Sequence, residues 1–537
     1  LDFIKHFDKK AGVAKKEELA DEKLSLDDKI KQRILQGNSS GLEKILMDAL
    51  QTKEPFEIIN QLLIPAMKKV GDLFGAGEMQ LPFVLQSAEV MKFSVDKLEP
   101  FMEKSEEDVQ KSIVLATVRG DVHDIGKNLV DIILSNNGFK VYNLGIKCEI
   151  DTMIEKARQV NADAIGMSGL LVKSTIVMKE NLEEMQRRGL HIPVLLGGAA
   201  LTKSYVNDVC GPELDAPVVY CRDAFEGLNV MAIIKSGDTD KLNNLNAPTA
   251  KGTKSRPKSI DTAESKPEIS RDINIPQPPF WGDKIAEHVD LDTIFSYLTE
   301  VVLFRGRWGF RRGKLSKEEF EALIENEVRP AFEELKQRCK TEQLLQPKVV
   351  YGYYPCNSEG EQVILYKQDG SEWLRFNFPR QKKPPYQCIA DFFMPVDSGR
   401  KDIIALQVAT VGQRASEESQ RLFKSDQYKN YLMFHGLSVE SAEALAEYWH
   451  LIIRQELDIT EEDVPGIESM VVQKYRGSRY SFGYPACPDL AENRKIFDVL
   501  KPERIGVTLT EQDQMTPEQT TSAFVVHHPQ AKYFTTE

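Results

Sequence analysis

A chain of 537 residues that is 41% hydrophobic and 28% charged is long enough for about three to five domains of ordinary globular composition. The formal net charge of −13 argues against a nucleic-acid partner, and seven cysteines without a CxxC pair suit neither a zinc ribbon nor a disulfide framework. No apolar run approaches the roughly 18 residues that span a bilayer, and the charged opening LDFIKHFDKK lacks a signal-peptide core, so a cytoplasmic monomer with no membrane association is expected.

Residues 1–23 are expected to be an N-terminal linker, and the missing initiator methionine suggests a fragment or a processed product. Residues 24–105 carry apolar positions at three- and four-residue spacing, punctuated by Gly37, Gly41 and the break GAGEMQLP, which predicts a helical bundle. Residues 106–237 switch to alternation of strand and helix. The strand candidates SIVLATV, KVYNLG, ADAIGMSG, IPVLLGG and APVVYC predict a doubly wound, flavodoxin-like parallel sheet. Its first, third and fourth strands end in loops rich in Gly and Ser, which together would floor one crevice. Residues 238–275 are polar and rich in Lys, Ser, Thr and Pro, and are expected to be a flexible linker. Residues 276–537 read as an α+β domain, with long helices over SKEEFEALIENEVRPAFEELKQRC and SVESAEALAEYWHLIIRQEL. Strands are expected over KVVYGYYPC, QVILYK, QCIADFF and IIALQVATVG.

The loop RGDVHDIGK, residues 119–127, places His123 between two aspartates where the first strand ends. Imidazole there can ligate a metal, act as a base or be structural. Asp121, two residues away, can accept a hydrogen bond from the ring nitrogen that does not coordinate, which fixes the tautomer and raises ligand basicity.

DVHDIGKN, followed by SGLLVKS at 168–174 and LLGG at 195–198, resembles the D-x-H-x-x-G, S-x-L and G-G signature of cobalamin-binding domains. The resemblance implies that His123 is the lower cobalt ligand, with Asp121 and Ser174 as its hydrogen-bond relay. It implies a cofactor site lined by Gly120, Asp121, Val122, His123, Asp124, Ser168, Leu170, Val172, Gly197, Gly198 and Ala224. Val172 stands where relatives can have threonine. VGDLFGAGEMQLP is similar to the cap over the upper corrin face in corrinoid proteins, where Phe74 and Leu81 would shield a methyl group.

RYSFGYPACPD at 479–489, with YGYYPCNSEG, AEALAEY and HPQAKYF in order around it, closely resembles the S-adenosylmethionine-binding activation domain of the cobalamin-dependent methionine synthase family. By that resemblance Asp290, Glu443, Arg479, Ser481, Gly483, Tyr484, Tyr533 and Phe534 contact S-adenosylmethionine, with Asp292 a rival for Asp290. Cys487, between two prolines, reads as structural. The family implies a cobalamin-carrying methyltransferase half, working with methylcobalamin and repaired by reductive methylation. Methyltetrahydrofolate and homocysteine would bind on N-terminal barrels outside this chain, together with the family's zinc. A flavodoxin-like protein would donate the electron, and the basic stretch FRGRWGFRRGK at 304–314 is a candidate docking surface for it. The alternatives are a corrinoid carrier of another methyltransferase system and a cobalamin sensor. The chain continues some 260 residues past the cobalamin segment, and no DNA-binding or signalling segment is apparent.

Overall fold

The computed structural model describes residues 24–102, 110–245, 268–461, 463 and 473–536. The expected N-terminal linker at 1–23 and residues 246–267 of the expected interdomain linker lie outside the described residues. No helix among the described residues is long and apolar enough to cross a membrane.

The first unit is four helical segments around one apolar core: α1 (Leu26–Gln36), α2 (Leu42–Ala49), α3 (Ile64–Gly75, led in by a helical turn from Pro55) and α4 (Leu81–Leu98). Local sequence explains the boundaries of α1. The Ser25 hydroxyl accepts from the Asp28 amide at 3.1 Å, acidic side chains face the helix start, and Gly37 ends the helix with φ +63°.

The second unit is a five-stranded parallel sheet in the order β2-β1-β3-β4-β5. Its strands are β1 (Ser112–Thr117), β2 (Lys140–Asn143), β3 (Ala164–Ser168), β4 (Val194–Gly197) and β5 (Val218–Tyr220). Helices α5 (Ile125–Ser135), α6 (Ile150–Gln159), α7 (Val172–Arg187) and α8 (Ala224–Ser236) connect and follow them, and separate apolar clusters cover the two faces. The strand order reverses between β1 and β3, which puts a crevice beyond their carboxyl ends.

The third unit is a seven-stranded antiparallel sheet. β6 (Gly282–Glu287) and β8 (Gln362–Tyr366) share one edge of the long β7 (Lys348–Glu359), and β10 (Asp402–Thr410) takes the other. β9 (Glu372–Asn377) and β11 (Ser478–Tyr480) close the ends, a two-stranded hairpin is formed by β12 (Thr508–Leu509) and β13 (Met515–Thr516), and β14 (Thr520–Val526) lies between β10 and β11. Helices α9 (Arg329–Thr341), α10 (Gln413–Lys424) and α11 (Tyr428–Glu456) pack on one face, and α12 (Asn493–Leu500) on the other.

QCIADFF is not a strand. Ile389–Phe392 form a 3-10 turn, because the Asp391 carboxylate accepts from the Cys388 amide at 2.9 Å and binds Arg380, folding the segment back on itself. Residues 268–275, on the linker side of the expected boundary, run along the third unit: Arg271 donates to the Phe393 carbonyl at 2.6 Å and His528 Nε2 meets the Ser270 carbonyl at 2.9 Å.

The helical unit docks on the third unit. Tyr428 and Leu432 of α11 belong to its apolar core, and the Lys429 amide donates to Glu89 at 2.8 Å. Part of the basic stretch 304–314 is used here. The Arg311 amide donates to Gln80 at 2.7 Å, the Lys314 amide to the Gly77 carbonyl at 3.0 Å, and Lys314 pairs with Glu78.

Burial at this contact pushes the Glu89 carboxyl up to about 7 from the usual 4.5. The docked arrangement therefore holds the proton more tightly than an undocked one, so docking weakens as pH rises from about 4.5 towards 7. Glu89→Gln is expected to raise the melting temperature at about pH 8 and to flatten its pH dependence, by on the order of 2 kcal/mol. Melting curves of both proteins between about pH 5 and pH 8 check this, and parallel curves would contradict it.

Candidate functional site

The loop after β1 is organised by one buried carboxylate. Asp121 is fully buried and accepts four hydrogen bonds: His123 Nδ1 at 2.7 Å, the His123 amide at 3.0 Å, the Ser174 hydroxyl at 2.5 Å and the Leu170 amide at 2.8 Å. Burial alone would raise its pKa, but the hydrogen bonds and charge of His123, with Ser174, outweigh it and hold Asp121 ionised below the usual range. Burial would likewise lower the His123 pKa, and the bond to Asp121 and the charge of Glu518 more than reverse that. With Nδ1 committed to Asp121, His123 Nε2 is the ring atom left for a ligand, and His123 lines a cavity of about 740 Å³.

The glycine loops make that cavity possible. A Cβ on Gly169 would stand 2.5 Å from the Ser174 Cβ, and one on Gly198 would stand 1.9 Å from the Gly169 carbonyl oxygen. The cavity continues as a slot between the sheet, at Ile113, Leu115 and Gly166, and the helices, at Leu129, Val130 and Gly227. A free imidazole nitrogen at the mouth, a glycine cradle and a deep, mostly apolar slot suit a large flat cofactor with a tail.

Of the expected cofactor residues, His123, Ser168, Leu170, Gly197, Gly198 and Ala224 line the cavity. Ser174 is buried against Asp121, and Val172 is 66% exposed at the start of α7. Gly120, Val122 and Asp124 are covered by the third unit through Gln512, Gln514 and Tyr431. Phe74 and Leu81 do not reach the cavity. Phe74 stacks on Phe225 of α8 at 4.6 Å, and Leu81 lies against Gly309. The roof is the third unit itself, through Arg307, His435, Val439, Glu443, Tyr484 and Glu518.

Beside that roof Arg479 lies between two carboxylates one turn apart on α11, with Nη2 at 3.3 Å from Glu443 and Nε at 3.3 Å from Glu447. Its Nη1 is buried without a partner among the described residues, an opening for a ligand carboxylate. The Tyr484 hydroxyl donates to Glu443 at 2.9 Å. Gly483 turns the chain at φ +91°, and a Cβ there would stand 2.7 Å from Leu490 Cδ2. The Ser481 carbonyl accepts from the Cys487 thiol at 2.9 Å, and burial pushes that thiol far above its usual pKa, a packed group and not a nucleophile. Tyr533 stacks on Tyr480 and stays partly exposed, while Phe534 is buried beside Phe392.

Asp290 is engaged within its own segment. It caps a short helix, accepting from the Thr293 amide at 2.8 Å and hydroxyl at 3.0 Å, and Asp292 pairs with Lys340. Sequence reasoning missed Glu447, whose pKa is lowered to about 2 because His450 and Arg479 outweigh its burial; four-residue spacing from Glu443 was the available signal. It also missed the cluster of Asp124, His435 and Glu518, in which His435 Nε2 lies 3.1 Å from Glu518.

A helical bundle, a parallel sheet with a ligand loop and an antiparallel sheet roofing one cavity define a multidomain cofactor-binding protein. Residues 26–99 and 111–228 match two families each described as a B12 binding domain, and residues 302–537 match the family described as vitamin B12 dependent methionine synthase, activation domain. The chain therefore carries, in order, two B12 binding domains and a vitamin B12 dependent methionine synthase activation domain. Methionine synthase of Mycobacterium tuberculosis is 46% identical over 564 residues, covering 98% of this chain and 47% of the relative. That of Mycobacterium leprae is 45% identical over 558 residues, covering 95% and 46%. The chain thus spans about half the length of the curated relatives it matches. A crystal structure of the MetH reactivation domain bound to AdoHcy is 26% identical, covers 49% of this chain and 84% of its own, and has a TM-score of 0.45.

Proposed function

We propose that this chain is the cobalamin-carrying and reactivation portion of a methyltransferase that moves a methyl group from methyltetrahydrofolate to homocysteine, and that it uses S-adenosylmethionine for its own repair. The observation that carries this reading is the shared cavity: the His123 loop forms its floor, and Glu443 and Tyr484 open into it from above. Bound cobalamin would supply a cobalt centre able to accept and release methyl groups. His123 would offer Nε2 as the lower ligand, while Asp121 and Ser174 hold its ring and take part of its proton charge. Arg479 would receive the ligand carboxylate through Nη1, and Glu443 with Tyr484 would hold its amino end.

In this reading a roof made by the third unit, with the helical unit aside, would serve the repair step. Phe74 and Leu81 would return over the cavity in the resting arrangement. Methylcobalamin as the working form, barrels that bind folate and homocysteine with their zinc, and a flavodoxin-like electron donor belong to the same reading. So does the expected division into domains at 24–105, 106–237 and 276–537.

The test is direct. The purified chain is loaded with hydroxocobalamin, freed of excess cofactor by gel filtration, and reduced in the presence of methyl-labelled S-adenosylmethionine. One equivalent of cobalamin retained and label recovered on it are expected. Retention without labelling would leave a corrinoid carrier, and no retention would refute the proposal.

A further inference from the structure

The guanidinium of Arg479 is held by two carboxylates, and only one of them has a use in the proposed ligand contact. Arg479 stands on β11, where its backbone is paired opposite Val525 of β14, so its side chain starts from a fixed point. Glu443 and Glu447 are one turn apart on α11 and face it side by side. Glu443 accepts from Nη2 at 3.3 Å and from the Tyr484 hydroxyl at 2.9 Å, while Glu447 accepts from Nε at 3.3 Å. Glu447 is itself held from behind. The fully buried His450 meets its Oε1 through Nδ1 at 3.4 Å and packs edge-on against Tyr475 at 5.2 Å, and Arg454 lies 4.4 Å over the same tyrosine. Burial lowers the His450 pKa, and Arg454 and Arg479 add to this against the opposing charge of Glu447. The ring is therefore neutral at neutral pH and donates from Nδ1. Burial would raise the Glu447 pKa, but His450, Arg479 and Arg454 hold it down to about 2.

We infer that Glu447 is a positioning residue: by holding Nε of Arg479 it keeps Nη1 turned to the ligand carboxylate and stops the guanidinium from closing on Glu443. The inference rests on the proposed contact between Arg479 and that carboxylate. The alternative open to Arg479 is a strong one, because a guanidinium and a single carboxylate prefer a fork of two parallel hydrogen bonds. Here the contact with Glu443 runs through Nη2, and Nη1 is buried without a partner among the described residues. With Nε released, the guanidinium could turn and complete the fork on Glu443, which takes Nη1 away from the ligand. Glu443 would still serve an amine, because each carboxylate oxygen has a second lone pair. Glu447 therefore matters to the carboxylate end of the ligand and not to its amino end, and His450 keeps Glu447 in place by donating to its other oxygen.

Calorimetric titration of the full chain tests this by comparing S-adenosylmethionine with its decarboxylated analogue, which keeps the amine and the sulfonium but offers Arg479 no carboxylate. Glu447→Ala should weaken S-adenosylmethionine about tenfold and leave the analogue within about threefold of the parent. Glu447→Gln, whose amide oxygen can still accept from Nε, should stay within about threefold for both ligands. Equal losses on both ligands for Glu447→Ala would make Glu447 a merely structural group. A Glu447→Gln chain as weak as Glu447→Ala would make the effect one of charge, and a Glu447→Ala chain that binds S-adenosylmethionine as the parent does would leave no effect at all. Each of these three results overturns the positioning role. Arg479→Met judges the underlying reading separately, since it should erase the preference for S-adenosylmethionine over the analogue. A parent with no such preference, or an Arg479→Met chain that keeps it, would refute the Arg479 contact and this inference with it.

Discussion

Replacing His123 by glycine is expected to convert the cobalamin-loaded chain from a base-on to a base-off absorbance spectrum, because no other imidazole among the described residues is placed to substitute. His435 is committed to Glu518 at 3.1 Å, and among the described residues it is the other histidine lining the cavity. Asp121→Asn should act in the same direction but less completely. The carboxylate accepts four hydrogen bonds that one amide oxygen cannot replace, and loss of such a supporting group typically costs roughly 10–100-fold in ligand affinity. A difference spectrum across a cofactor titration measures both. Identical spectra for His123→Gly and the parent would remove the loop from the cofactor site and leave the activation domain as the sole basis for the function.

Arg479→Met is expected to weaken binding of S-adenosylmethionine by about a hundredfold, or about 3 kcal/mol, with no change in the cobalamin spectrum. Two effects add. The buried, unpartnered Nη1 that would meet the ligand carboxylate disappears, and Glu443 and Glu447 are left facing the site without the guanidinium that neutralises both. Arg479→Lys should fall between the two, keeping the charge but losing the planar fork. Isothermal titration of the full chain with S-adenosylmethionine separates these cases, and an affinity within about threefold of the parent for Arg479→Met would place the ligand elsewhere.

Much of this was legible in the sequence because it is local. The five strands of the parallel sheet, the loops at their ends, the Asp121–His123 pairing at two residues' distance and the Gly483 turn depend on neighbours in the chain, and residue chemistry specifies them. The structure departs from, or adds to, the local pattern where a partner outside that pattern intervenes. QCIADFF has the apolar alternation of a strand, yet a carboxylate three residues along bends it into a turn. Asp290, expected as a ligand contact, also caps a short helix through Thr293, a role that depends on where that helix starts. FRGRWGFRRGK reads as a basic docking surface, and in the folded chain the Arg311 and Lys314 amides and the Lys314 side chain also meet the helical unit.

By itself, then, the amino-acid sequence determined the three kinds of domain, the ligand loop and the Arg-Gly-Tyr segment of the activation domain, since each is a pattern of short range. Only the tertiary structure decided which domain covers the cofactor loop. That choice is made by pairs some 300 to 400 residues apart, Val122 with Gln514 and Asp124 with Tyr431, and by Phe74 spending its apolar surface on Phe225. Such pairs leave no periodicity to read, because their contact energy depends on how finished domains are placed against one another.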